Sequence, residues 1–273
     1  MKRICLAAAL VGLPVLPAMA ADIAARPYAK APAPVIAAYN WTGFYIGGNV
    51  GYGWGQSTDR SISFVDPGGA VGFGPYFAGG SNVYPNLRPA GVIGGGQVGY
   101  NWQANSLVLG AVADFQAADI GAAATGVVPL TLFITPSNQT LSQKLDFLGT
   151  VRGRVGGAFN HVMLYGTGGY AYGHVRSSIN FDAPAGPVFF AGTNAQWRSG
   201  WTAGVGAEYG LGNWSIGVEY LHYDLGRSSV TSLAVAPGPA FPGVSLTADQ
   251  RVAGDLVRAA INFRFGGPVV ANY

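Results

Sequence analysis

Residues 40–55 read NWTGFYIGGNVGYGWG, and alternate positions belong to different chemical classes. Phe44, Ile46, Val50, Tyr52 and Trp54 hold one parity; Tyr45, Gly47, Asn49, Gly51 and Gly53 hold the other. A repeat of two puts successive side chains on opposite faces of a β-strand. The bulky face carries no charge, and the second face is small and polar.

Seven further segments repeat the division. Val92, Val98, Tyr100 and Trp102 oppose Gln97 and Asn101, and Leu107, Leu109, Ala111, Ala113 and Phe115 oppose Asp114 and Gln116. Leu145, Phe147, Val151, Val155 and Phe159 oppose Asp146, Thr150, Arg152 and Arg154. Leu164, Tyr170 and Tyr172 oppose Tyr165 and Thr167; Trp197, Trp201, Val205 and Tyr209 oppose Arg198, Thr202 and Glu208. Trp214, Ile216, Val218 and Tyr220 oppose Ser215 and Glu219, and Val257, Ile261, Phe263 and Phe265 oppose Arg258, Asn262 and Arg264.

Nearly every charge therefore shares a face with the glycines. Charged residues make up only 10% of the 273-residue chain, against roughly 25% in an average soluble protein. A bulky outer face in lipid and a small, charged face in an enclosed interior satisfy this pattern. An open sheet would leave edge N–H and C=O groups unpaired in hydrocarbon, so the sheet must close. The expected fold is all-β, an eight-stranded antiparallel up-and-down transmembrane barrel, narrow enough for side chains to fill its interior. A soluble lipocalin-like barrel is the rival, and it would place its charges outside.

Connection length agrees. The turns at 104–106, 160–161 and 210–213 are short, whereas the alternating connections at 56–89, 119–143, 177–196 and 227–249 are long. Short periplasmic turns and four long extracellular loops are the outer-membrane arrangement. Aromatic placement agrees as well. Trp41, Phe44, Trp102, Phe159, Tyr209, Trp214, Phe263 and Phe265 gather toward the short turns, and Trp54 and Trp197 toward the long loops. Such residues are expected to form girdles at the two membrane interfaces.

Residues 1–20 have the form of a secretory signal peptide. Lys2 and Arg3 precede an apolar run, and Ala18-Met19-Ala20 sets cleavage after Ala20. Cys5, the single cysteine, leaves with it, so the mature chain has no disulfide and no thiolate site. Residues 21–40 are a Pro/Ala-rich periplasmic lead-in, residues 41–265 the barrel, and residues 266–273 a tail.

The expected lumen charges are Lys144, Arg152, Arg154, Arg198, Arg258 and Arg264 with Asp114, Asp146, Glu208 and Glu219. Unpaired, they would carry a heavy desolvation penalty, so cross-lumen ion pairs are expected, Glu219 with Arg258 among them. A plugged polar core is one reading of this set. A narrow, weakly anion-favouring path is the other, helped if Gly47, Gly51, Gly95, Gly99 and Gly204 widen the lumen. His161, His174 and His222 have no partners at catalytic spacing, so no enzyme is expected. GGGQVG at 94–99 matches a dinucleotide fingerprint formally but runs through a strand and opens no helix. No metal, no cofactor and no nucleic-acid partner is expected. The Gly- and Pro-rich loops, with Phe73, Tyr76, Phe77 and Phe241, offer a surface for extracellular ligands.

Together, NWTGFYIGGNVGYGWG, GGQVGYNWQ, VRGRVG, YGTGGYAYG, GWTAGVGAEY and VEYLHYDLG resemble the small outer-membrane β-barrel surface antigens of alphaproteobacteria, the porin-family or outer-membrane immunogenic proteins. The resemblance covers about residues 41–265. It implies an architecture like the membrane domain of outer membrane protein A, in the outer membrane of a Gram-negative cell. Its partners would be outer-membrane lipid and lipopolysaccharide, the barrel assembly machinery, and host or other ligands at the loops. Barrels of this kind end on an aromatic read by that machinery. Here the chain continues past Phe265 to Tyr273, and an internal signal at Val257, Ile261, Phe263 and Phe265 is the reading favoured. The expected function is a structural and surface-antigen role, with a narrow diffusion channel as the alternative and adhesion through the loops also open.

Overall fold

Three two-residue turns define one end of the molecule: Asn105-Ser106, Asn160-His161 and Gly212-Asn213. Asn105, Asn160 and Gly212 each have positive φ, the first-position geometry that suits the twist of a tight hairpin and that Asn and Gly tolerate best. The computed structural model describes residues 39–55, 60–65, 67, 87–128, 137–182, 189–235, 243 and 245–265. The signal peptide with Ala20, most of the lead-in, the tail with Tyr273, and Phe73, Tyr76, Phe77 and Phe241 lie outside the described residues.

The strands are β1 (Gly43–Gly55), β2 (Arg60–Val65), β3 (Ala90–Ala104), β4 (Leu107–Val128), β5 (Ser137–Phe159), β6 (Val162–Asp182), β7 (Phe189–Leu211), β8 (Trp214–Val235) and β9 (Ser245–Phe265). Eight of them pair antiparallel in the order β1-β3-β4-β5-β6-β7-β8-β9, and β1–β9 pairing closes the ring. β2 runs beside the upper part of β9, from Arg60 opposite Gln250 to Val65 opposite Ser245. No helix among the described residues is long and apolar enough to cross a membrane; the ring is the spanning element.

A tilted membrane strand needs about 9–11 residues. β1 meets this with Phe44 to Trp54, all of whose even-numbered residues face outward. β4 to β9 have 21 to 23 residues each. Because the short turns close directly beneath the lower aromatic residues, the excess projects entirely from the opposite end. This corrects the long loops expected at 119–143, 177–196 and 227–249. Most of those residues continue as strand, leaving 129–136, 183–188 and 236–244 between the paired segments.

The continuation was hidden by bulges. Asp146 is an extra residue of β5 opposite β6, between the pairs Leu145–Val175 and Phe147–His174. An extra residue reverses which parity faces outward. Below the bulge, odd residues such as Phe147 and Val151 point out; above it Lys144 points out and Leu145 points in. Lys144 is therefore not a lumen residue, and Leu145 does not face lipid. A second irregularity, between Asp224 and Arg227, interrupts the β8–β9 ladder.

Candidate functional site: the filled lumen

The lumen is built in layers from the short-turn end upward. At the bottom, Tyr39, Trp41, Val108, Met163 and Tyr165 form a buried cluster. Trp41 is 2% exposed, which corrects its place in the outer girdle. It shares odd parity with Tyr45, and on β1 odd residues point inward. Tyr39, which the sequence placed in the lead-in, donates its hydroxyl to the Gly212 carbonyl at 3.0 Å. Arg264 lies 4.4 Å above the Tyr39 ring and donates to the carbonyls of Asn40 and Gly212, so its partners among the described residues are backbone groups and an aromatic face.

The next layer centres on Arg154, held between the rings of Tyr45 and Tyr165 at 4.8 and 5.0 Å. Its Nη1 donates to Glu208 Oε1 at 2.8 Å and its Nε to Asn101 Oδ1 at 2.9 Å. Ser215 donates to the other Glu208 oxygen at 3.2 Å.

Above it lies a four-membered ion network. Arg152 donates to Asp114 Oδ2 and to Glu219 Oε1, both at 2.9 Å. Arg258 donates from Nη2 to the same Asp114 oxygen at 2.9 Å and from Nε to Glu219 Oε2 at 2.8 Å. Thr150 completes it, accepting from Arg152 Nε at 2.8 Å and donating to Asp114 at 2.9 Å. All four charged side chains are at most 8% exposed. Each carboxylate touches two guanidinium groups, the arrangement that offsets desolvation best in a low-dielectric interior. Across the barrel, Asn49 donates to Gln97 at 3.0 Å and Gln97 to Asn262 at 2.6 Å, joining β1, β3 and β9.

Three arginines, Arg152, Arg154 and Arg258, thus face three carboxylates, Asp114, Glu208 and Glu219. The space left among them is a cavity of about 10 Å³ bordered by Gln97, Arg152, Arg154, Glu219 and Arg258, enough for about one water. Arg154 Nη2 and Arg258 Nη1 have no hydrogen-bond partner among the described residues, and are the donors such a water would accept from.

The remaining expected lumen charges sit elsewhere. Asp146 occupies the bulge and accepts from Arg176 Nε at 2.6 Å and pairs with His174 Nδ1 at 3.0 Å. Lys144 pairs with Asp119 at 2.7 Å on the outer surface, and this hydrogen bond holds its ammonium above the usual lysine range. Arg198 keeps inward parity but stands above the network, half-buried beside Gln196.

Over the ion network is an apolar layer that includes Ile93, Ile120, Leu145, Leu148, Leu221, Tyr223, Leu225 and Leu256. Sequence reasoning missed it. Its signal was present in Leu148, Leu221 and Leu256, which share parity with the charges and stand immediately above them.

The lumen-side glycines do not leave open space. A Cβ at Gly99 would collide with the Tyr45 ring and hydroxyl, one at Gly206 with the Tyr165 ring, and one at Gly210 with the Tyr39 ring. Likewise Asn262 lies over Gly47, Arg258 over Gly51 and Leu221 over Gly204. Glycine here lets large neighbours lie flat against the wall.

Outside, Phe44, Trp54, Trp102, Phe159, Trp197, Tyr209, Trp214 and Phe265 are all exposed. At the short-turn end Trp214 meets Phe263 at 5.0 Å, Phe263 meets Phe265 at 5.2 Å, and Phe265 meets Phe44 at 5.7 Å. This largely apolar band surrounds an interior whose charges are mostly paired, the inverse of a soluble barrel.

The chain is similar to known proteins over most of its length. Residues 5–241 match the family model for the outer membrane protein β-barrel domain. The 31 kDa outer-membrane immunogenic protein of Brucella melitensis is 34% identical over 253 residues, which are 91% of this chain and 93% of that protein. The 22 kDa outer membrane protein of Rhizobium leguminosarum bv. viciae is 30% identical, covering 70% of this chain and 68% of that one. The crystal structure of the outer membrane protease OmpT of Escherichia coli aligns at a TM-score of 0.41 and 11% identity, over 82% of this chain and 97% of that one. The family match and the Brucella and Rhizobium relatives agree with the lipid-compatible exterior and the closed ring: the chain belongs to the outer membrane protein β-barrel domain family and resides in the bacterial outer membrane.

Proposed function

We propose that this protein is a sealed, non-enzymatic outer-membrane barrel that serves envelope integrity and presents its projecting strands and loops as a surface antigen. The observation that carries this reading is the balanced ion network of Asp114, Arg152, Glu219 and Arg258, stacked between two apolar layers. A solute path through it would have to separate charges that lie 2.6 to 2.9 Å apart, with several kcal/mol of desolvation for each ion exposed. The antigen role draws on the long projecting end and on the name of the Brucella melitensis relative, an outer-membrane immunogenic protein. Extracellular ligands, adhesion contacts included, would meet the same end. His174 and His222 each bond an aspartate on the outer face, with no serine, threonine or cysteine among their hydrogen-bond partners in the described residues. The terminal strand offers Val257, Ile261, Phe263 and Phe265 as the internal signal for the barrel assembly machinery.

The test is single-channel recording of the refolded mature chain in a planar bilayer, after a heat-modifiable gel shift has established folding. A sealed barrel gives no conductance steps, while whole cells bind antibody raised against the projecting end. Reproducible steps whose ion selectivity changes in Arg152→Ala would replace this reading with the narrow channel.

A further inference from the structure

Closing the ring leaves one seam that chain connectivity does not support. Neighbours in the ring follow one another along the chain, β2 aside, except β1 and β9, which meet from its two ends. Strand pairing alone carries that seam, from Phe44 opposite Phe265 to Gly55 opposite Gly254. Its upper end continues into the β2–β9 pairing. Its lower end, at the periplasmic rim, stops at Phe44–Phe265, and the residues just before β1 take over there.

Residues 39–42 hold strands on both sides of the seam. The Trp41 N–H donates to Gln103 Oε1 at 2.7 Å, and the Gln103 N–H donates to Thr42 Oγ1 at 3.0 Å, which ties the segment to β3. On the other side, Arg264 of β9 donates to the carbonyls of Asn40 and Gly212. The Tyr39 hydroxyl stands 3.0 Å from the Gly212 carbonyl and 3.2 Å from that of Trp214, and Arg264 covers its ring. One short segment thus joins β3, β9 and the β7–β8 turn. Gly43, with a φ of 142°, lets the chain swing from the wall into the mouth, and Gly210 gives the Tyr39 ring its seat. Tyr39 and Trp41 are 6% and 2% exposed, so the segment is packed into the rim.

We infer that residues 39–42 are a latch on the β1–β9 seam. Seated, they hold the first and last strands together at the periplasmic rim. Withdrawn, they let that rim part while the hairpins elsewhere stay intact, a local opening that costs less than global unfolding. Parted strands present unpaired edges that other chains can add to, so the latch decides whether the lower end of the terminal strand is shielded or available. The inference goes beyond the sealed-lumen reading and is independent of it.

Hydrogen–deuterium exchange of the refolded mature chain in micelles tests it, once a heat-modifiable shift has shown each variant folded. In Tyr39→Ala, amides at 44–48 and 261–265 should exchange roughly tenfold faster than in wild type, while those at 151–155 and 166–170, across the β5–β6 pairing, change less than about twofold. Arg264→Gln should act in the same way, and the two changes combined should add little, because each removes the same latch. A disulfide in Ile46→Cys/Phe263→Cys, at directly opposed positions of the seam, should erase the effect of Tyr39→Ala. Should Tyr39→Ala not fold, Tyr39→Leu keeps apolar bulk and carries the same comparison. Equal acceleration in every strand would make Tyr39 a packing residue alone and overturns the latch. Unchanged exchange at the seam, or acceleration that persists with the disulfide in place, overturns it as well.

Discussion

Arg258 and Glu219 sit directly opposite each other on β9 and β8, and the Arg258 Nε–H donates to Glu219 Oε2 at 2.8 Å. Each is also tied to another member of the network, Arg258 to Asp114 and Glu219 to Arg152. Removing one charge therefore strands a buried partner.

Arg258→Ala should be destabilised by about 3–5 kcal/mol, the usual loss when one half of a buried pair is removed. Arg258→Met combined with Glu219→Gln keeps the remaining Asp114–Arg152 pair and removes both stranded charges. It should unfold closer to wild type than either single change does, because charge balance is restored. Urea unfolding of refolded protein in micelles, followed by tryptophan emission, reads this directly. A double variant as weak as the sum of the singles would refute the argument.

The tyrosines that lie on glycines make a second, steric prediction. Gly99→Val forces a side chain into the Tyr45 ring, and overpacking of this kind costs about 1–3 kcal/mol. Tyr45→Ala opens that space at its own cost. If the two residues are coupled as the structure shows, the double variant should be more stable than additivity allows, with a favourable interaction energy above about 0.5 kcal/mol. Strict additivity would mean that Tyr45 does not rest on Gly99.

Much of this was legible in the sequence because period-two alternation survives wherever the ladder is regular. Charges at Asp114, Arg152, Arg154, Glu208, Glu219 and Arg258 all lie on the inward parity, and the structure places them within one lumen. What the alternation cannot carry is an inserted residue. Asp146 shifts the parity of β5, and from there Lys144 and Leu145 exchange faces. Trp41 was misread for a different reason: its ring type suggested an interface, whereas its odd position already assigned it to the inside. The lumen glycines looked like space because a sequence does not show which side chain from the next strand lies over them.

The bulge makes its own prediction. Cys5 is the only cysteine in the chain, so cysteines placed singly at 144, 145 and 147 in the mature protein report cleanly. Lys144→Cys should react rapidly with a membrane-impermeant maleimide on whole cells. Leu145→Cys, buried in the apolar layer, should react at least tenfold more slowly in the folded protein. Phe147→Cys, facing the belt, should resist the impermeant reagent yet carry a spin label accessible to oxygen. Fast labelling at 145 and slow labelling at 144 would restore unbroken alternation and remove the bulge.

Trp41 separates the interior from the girdle. The chain has six tryptophans; Trp102 and Trp214 are 54% and 49% exposed on the outer face, and Trp41 is 2% exposed inside the ring. Bromine on a lipid acyl chain quenches an indole only at close range. In liposomes of brominated lipid, a variant keeping Trp214 alone, with the other five changed to Phe, should therefore lose most of its emission. A variant keeping only Trp41 should be quenched little, since the β-wall and the Tyr39 ring, 4.7 Å away, stand between it and lipid. The bottom of the lumen would be open to the bilayer, and the sealed-barrel reading weakened, if both variants were quenched alike.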